Sequence, residues 1–510
     1  MNLATNLESS AFFFPNRLAI RQAGIEMTYA QLNDQANRIA TGLIKMGVKP
    51  GELVGLCALN SADWVTFYFG VLKAGAVVVT LSGMLTGDEL ANLVNHAKPR
   101  FIFTEETKLK EMEQLKSPRG LKEVICPGGD LDLLHLMEMG SGSFKACDRN
   151  PTDTAAILYT GGTTGVPKGV MLTHEGINFS SYSTVYYERS TEKDLALCFL
   201  PLNHVFGQIH IMNSTILSSG CLELLPSFDM ERALEAMEAG RITKFFSVPT
   251  VYIRLLTFSD LKKKLGKLRY CFSAATSLPV EIMKQWKEKT GISISEGYGM
   301  TEAMPVTFNH YYPDRHIVGS VGHLHLGVEA QIRDTSGRLL EQGEEGEICI
   351  RGRNVMKAYL NNAEGTRSAF WKGGWFRSGD IGRFDHDGYL YIVDRLKDLI
   401  ITGGENVYPH EVEEALYIRP EVEECAVIGL PDKEWGECVV AFIVPKKDHP
   451  VVPEELKSFL KTRLSRFKVP KEYIAVSEFP KSPAGKILKR EIKKQFLAGP
   501  DSSGGENKCK

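Results

Sequence analysis

The sequence predicts an α/β protein in three parts. A large N-terminal domain of stacked α/β sheets carries a β-rich subdomain, and a small C-terminal α+β domain follows. Three observations predict this. Helix-period and strand-like segments alternate through the first three-quarters of the chain. After Gly322 the texture changes to short strands between turn residues. Past Arg395 comes a compact mixed unit, set off by the polar stretch Arg395-Leu396-Lys397-Asp398 between two apolar strands.

In chain order, Tyr29 to Met46 has apolar residues at helical spacing and Gly47 stops it, while Leu53 to Leu59 reads as a short buried strand. The most apolar stretch, Trp64 to Leu81, contains Lys73 and Gly/Ala breaks. It reads as a buried helix to Lys73, a turn at Gly75 and a strand Val77 to Thr80, because a membrane span needs about 20 uninterrupted apolar residues. Phe101-Ile102-Phe103 is another strand, and Ala155 to Tyr159 a further one. The β-rich part has strands at Ala330 to Ile332, Gly346 to Ile350 and Tyr389 to Ile392. Beyond the polar stretch, Pro409 to Ile418 and Pro453 to Leu464 read as helices, and Cys425 to Gly429 and Val439 to Val444 as strands. The domains are therefore 1–394, a hinge at 395–398, and 399–497. The polar, Gly/Ser-rich segment 498–510 is expected to be a disordered tail.

Composition excludes several classes. Lys+Arg number 60 against Asp+Glu 62, a net charge of −2, which supplies no global field for nucleic acid or an anionic membrane. The 10 cysteines form no C-x-x-C pair and no zinc-spaced cluster, so reduced thiols in a cytoplasmic protein are expected. Met1 to Pro15 has no basic segment followed by an apolar run, as a secretory signal would. The oligomeric state is left open, a homodimer among the options.

The sharpest local signal is Tyr159-Thr160-Gly161-Gly162-Thr163-Thr164-Gly165-Val166-Pro167-Lys168. Glycines let backbone N–H groups approach an anion, hydroxyls donate further hydrogen bonds, and Lys168 adds charge, which together suit a triphosphate. A Walker loop requires Gly-Lys-Ser/Thr, and here Val166-Pro167 separates Gly165 from Lys168. A Gly-rich turn by itself is most often only a turn.

The order of residues in this loop resembles the signature of the adenylate-forming superfamily, which includes acyl- and aryl-CoA ligases, peptide-synthetase adenylation domains and luciferases. Other segments match in the family's order: Pro201 to Gly207, Tyr298-Gly299-Met300-Thr301-Glu302, Ser378-Gly379-Asp380, Asp394 to Asp398, Gly403 to Pro409 and Pro480 to Lys486. The N-terminal segments Leu18-Ala19-Ile20 and Met27-Thr28-Tyr29 are also similar to the family's.

The resemblance implies roles residue by residue. ATP or AMP would be bound by Thr160, Gly161, Gly162, Thr163, Thr164, Gly165, Lys168, Ala274, Ala275, Gly297, Tyr298, Gly299, Thr301, Asp380, Arg395 and Lys486. Thr301 would contact the α-phosphate and Glu302 would hold Mg²⁺, which takes few carboxylates and fills its shell with phosphate and water. A lone Thr-Glu is otherwise a common helix start. Tyr298 would stack near adenine, and Asp380 would accept the ribose hydroxyls, although Ser-Gly-Asp alone is a turn. Lys486 is the principal catalytic candidate. An ammonium bridging the attacking carboxylate and the leaving pyrophosphate stabilises the transition state more than the ground state. The family's small C-terminal domain is mobile about a hinge, here Lys397, and in its second orientation Gly403, Gly404 and Glu405 would line the channel for the coenzyme A thiol arm.

The substrate carboxylate would lie near Asn203 to Gly207, with His204 as a catalytic or orienting residue, a lone His being as readily structural. An acyl pocket of His204, Val205, Phe206, Val248, Pro249, Ala303, Met304 and Pro305 suits an uncharged fatty, alicyclic or aryl tail. Gly207-Gln208 follows Phe206 where amino-acid-activating relatives have Asp, and no carrier-like helical Ser follows Lys486. The expected activity is therefore an AMP-forming ligation of a small-molecule carboxylic acid to coenzyme A, in either direction, with ATP and Mg²⁺. An acyl-AMP ligase, a luciferase-like oxidase or a non-catalytic nucleotide sensor are the alternatives. The chain departs from the family pattern at Gly161 (commonly Ser), Asp394 (frequently Gly) and Ala274-Ala275 (a Gly-rich pair).

Overall fold

The computed structural model describes residues 1–118, 120–160, 167–310, 315–447, 449–482 and 485–498. Two large sheets organise the N-terminal part. One has seven strands in the order Ala358–Tyr359, Lys168–Thr173, Thr154–Thr160, Val77–Ser82, Leu53–Ala58, Phe101–Thr104 and Glu123–Ile125. The other has nine, in the order His323–Leu324, Ala303–Phe308, Ile294–Met300, Tyr270–Ser273, Lys244–Ser247, Leu195–Cys198, Cys221–Leu224, Leu18–Gln22 and Ile25–Thr28.

The interior pairings of both sheets are parallel, as the helix–strand alternation predicts. The direction reverses at one edge of the seven-stranded sheet and at both edges of the nine-stranded one, where Leu18–Gln22 and Ile25–Thr28 also pair antiparallel. Thr154–Thr160 and Lys168–Thr173 pair antiparallel, as do Ile294–Met300 and Ala303–Phe308. The Gly/Thr-rich loop thus joins two strands, and a helix, His174–Glu188, begins only after Thr173, whose hydroxyl accepts from the Gly176 amide as N-cap.

The helix Ala62–Lys73 packs against strands of both sheets, and every residue but Asp63 is buried. A helix apolar all round requires such a position. Its Lys73 is fully buried and paired with Glu8 at 2.6 Å. Among the described residues no helix is long and apolar enough to cross a membrane. Among the described residues, eight cysteines are free thiols.

The β-rich part is a separate sheet of Val328–Arg333, Gly346–Gly352, Trp375–Phe384, Phe370–Trp371 and Leu390–Arg395. The smaller C-terminal domain has its own sheet, in which Val422–Asp432 and Gly436–Pro445 form a long antiparallel pair. Its two faces bury separate apolar clusters, one around Leu416, Val427 and Leu456, the other around Ile428, Val440 and Phe442. Of the expected tail, Ala498 closes the helix Lys489–Ala498, and 499–510 lie outside the described residues.

Candidate functional site

The two reversed hairpins supply the site. Gly161, Gly162, Thr163, Thr164 and Gly165 lie outside the described residues, but Thr160 pairs with Lys168 across the base of their loop. Lys168 faces the ring of Tyr359, its ammonium 4.7 Å from the ring centre. Tyr359 reaches this position because Ala358–Tyr359 adds to the sheet edge, opposite Val170.

In the second hairpin Met300 pairs with Ala303, so Thr301 and Glu302 are the two residues of its turn. The turn presents a hydroxyl beside a carboxylate, and Thr301 is buried. Glu302 Oε1 accepts a hydrogen bond from the Tyr359 hydroxyl at 3.0 Å. Burial holds the Glu302 carboxyl above its ordinary value, while Tyr359 and the Lys168 ammonium pull it back. A single carboxylate on a turn, facing the phosphate-loop lysine, fits a Mg²⁺ ion that shares its shell with phosphate oxygens and water. Nothing in the sequence around Tyr359 marked it; the strand addition that brings it here is a tertiary event.

Asp380 lies in Trp375–Phe384, directly across the ladder from Arg395 in Leu390–Arg395. Its Oδ1 is 3.4 Å from Arg395 Nε, and its Oδ2 accepts from the Tyr298 hydroxyl at 2.7 Å. Tyr298, Asp380 and Arg395 are therefore one bonded group. Gly297 is required by space, since a Cβ there would come within 2.8 Å of the Thr307 carbonyl and 3.0 Å of the Phe272 ring. A Cβ at Gly299 would meet Met304 at 3.2 Å. Ala274 and Ala275 follow Tyr270–Ser273 at the same sheet end, and Ala275 has φ +79°, a left-handed conformation that favours glycine.

Lys486 reaches this group from the C-terminal domain. Its amide donates to Ser482 Oγ at 3.2 Å, and Gly485, at φ +80°, packs so closely that a Cβ would meet Val248 at 2.9 Å. Burial lowers the Lys486 ammonium to about 8; Arg395 and Lys397 act in the same sense, and the charges of Asp380 and Glu302 oppose them. His204 is pushed down to about 3 by burial and by the Lys486 charge, so it is a neutral imidazole whose Nδ1 accepts from the Phe206 amide at 3.3 Å.

The acyl candidates divide. Val205 and Met304 line a narrow cleft of about 10 Å³, room for one water, with Thr301, Ile177 and Ile209. Phe206 opens a π-helical turn, Phe206–Asn213, and stands edge-on to Phe272, while Ala303 is buried in the hairpin. Val248 lies apart, in a wider cleft of about 180 Å³ with Asn60, Arg254 and Lys481, open to solvent between the two domains. Gly403 and Gly404 form a two-residue hairpin turn between Thr402 and Glu405, both with positive φ, exposed and away from Lys486's group in this arrangement.

Known proteins share this architecture. Residues 7–360 match the AMP-binding enzyme family and residues 411–486 the AMP-binding enzyme C-terminal domain. The chain belongs to the AMP-binding enzyme family. It is 34% identical to a long-chain-fatty-acid–CoA ligase of Bacillus subtilis, over 96% of this chain and 94% of the relative. It is also 34% identical to a feruloyl-CoA synthase of an Amycolatopsis species, over 94% and 96%. ATP-bound MatB from Rhodopseudomonas palustris superimposes with a TM-score of 0.91 at 34% identity, covering 98% of this chain and 99% of that one. The anthranilate CoA ligase AuaEII in complex with anthranoyl-AMP gives 0.92 at 28% identity, over 99% and 98%. This AMP-binding enzyme is of the acyl-CoA synthetase branch, a carboxylic acid:CoA ligase (AMP-forming) that uses ATP, Mg²⁺ and coenzyme A.

Proposed function

We propose that this ligase activates a monocarboxylic acid with an uncharged apolar tail, and that Lys486 is the residue that drives adenylate formation. The observation that carries the proposal is the position of Lys486, held from the small domain within electrostatic reach of Asp380, Arg395 and Glu302. The acid's carboxylate attacks the α-phosphate, forming the acyl–phosphate bond and expelling pyrophosphate. Two anions meet in that step and charge grows on the leaving group, so an ammonium placed there acts mainly on the transition state. Thr301 lies on the hairpin turn beside the cleft, where its hydroxyl can orient the α-phosphate. Asp380, held by Tyr298 and Arg395, keeps acceptor capacity on both oxygens for the ribose hydroxyls. Glu302 would hold Mg²⁺, which supplies charge neutralisation of the phosphates. His204, neutral, is a hydrogen-bonding and not a charged partner for the acid.

The apolar side chains around the narrow cleft support an apolar tail, for which the cleft must widen: the lining includes Leu172, Ile177, Val205, Ile209 and Met304, and no charged side chain. For the second half-reaction the small domain turns at Lys397. That movement withdraws Lys486 and brings the Gly403–Gly404 hairpin, now exposed, towards the adenylate for attack by the coenzyme A thiol, which forms the thioester and releases AMP.

The test is pyrophosphate release with ATP and Mg²⁺ against acids from acetate through long chains to benzoate and alicyclic acids, with and without coenzyme A. Acid-dependent pyrophosphate and AMP with an acyl-CoA product is the expected result. Acyl-adenylate that accumulates regardless of coenzyme A would make it an acyl-AMP ligase, and ATP binding with no turnover would make it a sensor.

A further inference from the structure

The helix Pro409–Tyr417 of the small domain meets the large domain at two points around the hinge. The amide of His410, in its first turn, donates to Asp394 Oδ2 at 2.9 Å, and Asp394 Oδ1 accepts from the Arg395 amide at 2.7 Å. Further along, Glu414 Oε2 accepts from the amide of Val280 at 3.4 Å. Val280 is the first residue of the large-domain helix Val280–Thr290, which has no side-chain cap of its own.

The contacts are reciprocal. A carboxylate before the hinge receives the start of a helix beyond it, and a carboxylate on that helix receives the start of one before it. Each places negative charge at the positive end of a helix and satisfies an amide that has no partner within its own helix. The arrangement also reaches the catalytic segment, because Lys489, three residues past Lys486, pairs with Glu413 at 2.7 Å, and its charge opposes the burial that raises the Asp394 carboxyl. Glu296, buried beneath the same helix start and accepting from the Leu278 amide at 3.2 Å, is pushed up to about 8 by burial. Burial raises the Glu414 carboxyl as well, opposed by His410 and by the hydrogen bond from the Val280 amide.

We propose that Asp394 and Glu414 are positioning residues that clasp the small domain in the adenylate-forming orientation, holding Lys486 over the nucleotide site. The clasp rests on the two-orientation reading above. Rotation at Lys397 must break both contacts at once, while the small domain's apolar clusters stay intact. Asp394 thereby gains a use at one of the positions where the chain departs from the pattern it resembles.

The experiment measures both half-reactions of the full chain with benzoate and octanoate: acid-dependent ATP–pyrophosphate exchange, and thioester formation from supplied benzoyl- or octanoyl-adenylate and coenzyme A. Asp394→Gly and Glu414→Ala should each lower exchange about fivefold, the size of one lost cap, with thioester formation unchanged. Asp394→Asn and Glu414→Gln, which keep an acceptor oxygen, should restore most of it. Amide exchange with MgATP and no acid gives a readout independent of the acid. Glu414→Ala should speed exchange over 278–290 and 409–417 while the strand Gly436–Pro445 stays protected. Equal loss in both half-reactions, or unaltered protection of those two segments, would overturn the clasp. Lys486→Ala serves as the control: if it fails to separate the half-reactions, the two-orientation reading falls, and amide protection alone then decides the clasp.

Discussion

Tyr359 joins the two hairpins of the nucleotide site: its hydroxyl donates to Glu302 at 3.0 Å and its ring faces the Lys168 ammonium at 4.7 Å. One ring thus fixes the carboxylate proposed for Mg²⁺ and the lysine of the phosphate loop. Tyr359→Phe keeps the ring and removes the hydroxyl. It should weaken Mg²⁺ affinity about tenfold, as loss of a partner behind a metal ligand commonly does. Calorimetric titration of Mg²⁺ into the enzyme with ATP measures this directly; unchanged affinity would detach Tyr359 from the metal.

The Lys486 ammonium, lowered to about 8 mainly by burial, is charged below that pH and loses its charge as pH rises through it. Because kcat/KM reports groups of the free enzyme, adenylate-forming kcat/KM should fall above about pH 8. In Lys486→Arg the limb should vanish, since guanidinium stays protonated, with a lower plateau. His204, at about 3, should contribute no limb near neutrality.

Buried beside the aromatic cluster, Glu188 binds His210 at 2.7 Å and Lys244 at 3.0 Å. Lys244 is 2% exposed, so Glu188→Ala would strand its charge. A stability loss of about 3–5 kcal/mol is expected from urea unfolding. The double variant Glu188→Ala with Lys244→Met should recover part of it.

Ala275→Gly should stabilise the fold. At φ +79° the alanine Cβ is strained, and relief is worth about 1 kcal/mol. An unchanged urea midpoint would show that the local backbone has already relaxed around the methyl group.

Much of this was legible in the chain. Helix periods located Tyr29–Lys45 and Ala62–Lys73 to within a few residues, because an apolar face or an all-apolar run has few other uses. Short strands such as Leu53–Ala58 were equally plain. The hairpin reversals were not legible: a Gly/Thr loop leading to a helix and one leading back along the sheet have the same local composition. Nor were Tyr359, or the pairing of Asp380 with Arg395 across a ladder, since both depend on which strands meet. Positions that departed from the family pattern marked particular local demands. Ala275 carries a glycine's backbone angle, and Asp394 receives the start of another helix.

Among the described residues, the small domain's two apolar clusters share no buried residue with the large core, and Tyr417 is the side chain of this domain that packs against both sides. It is therefore an exchangeable cassette. A chain joined at the hinge to the corresponding segment of a relative should fold, because only the packing around Tyr417 would have to be rebuilt. What such a graft must carry with it is the few polar contacts at the junction, and a donor lacking them would yield a well-folded hybrid whose two parts no longer agree on when to meet.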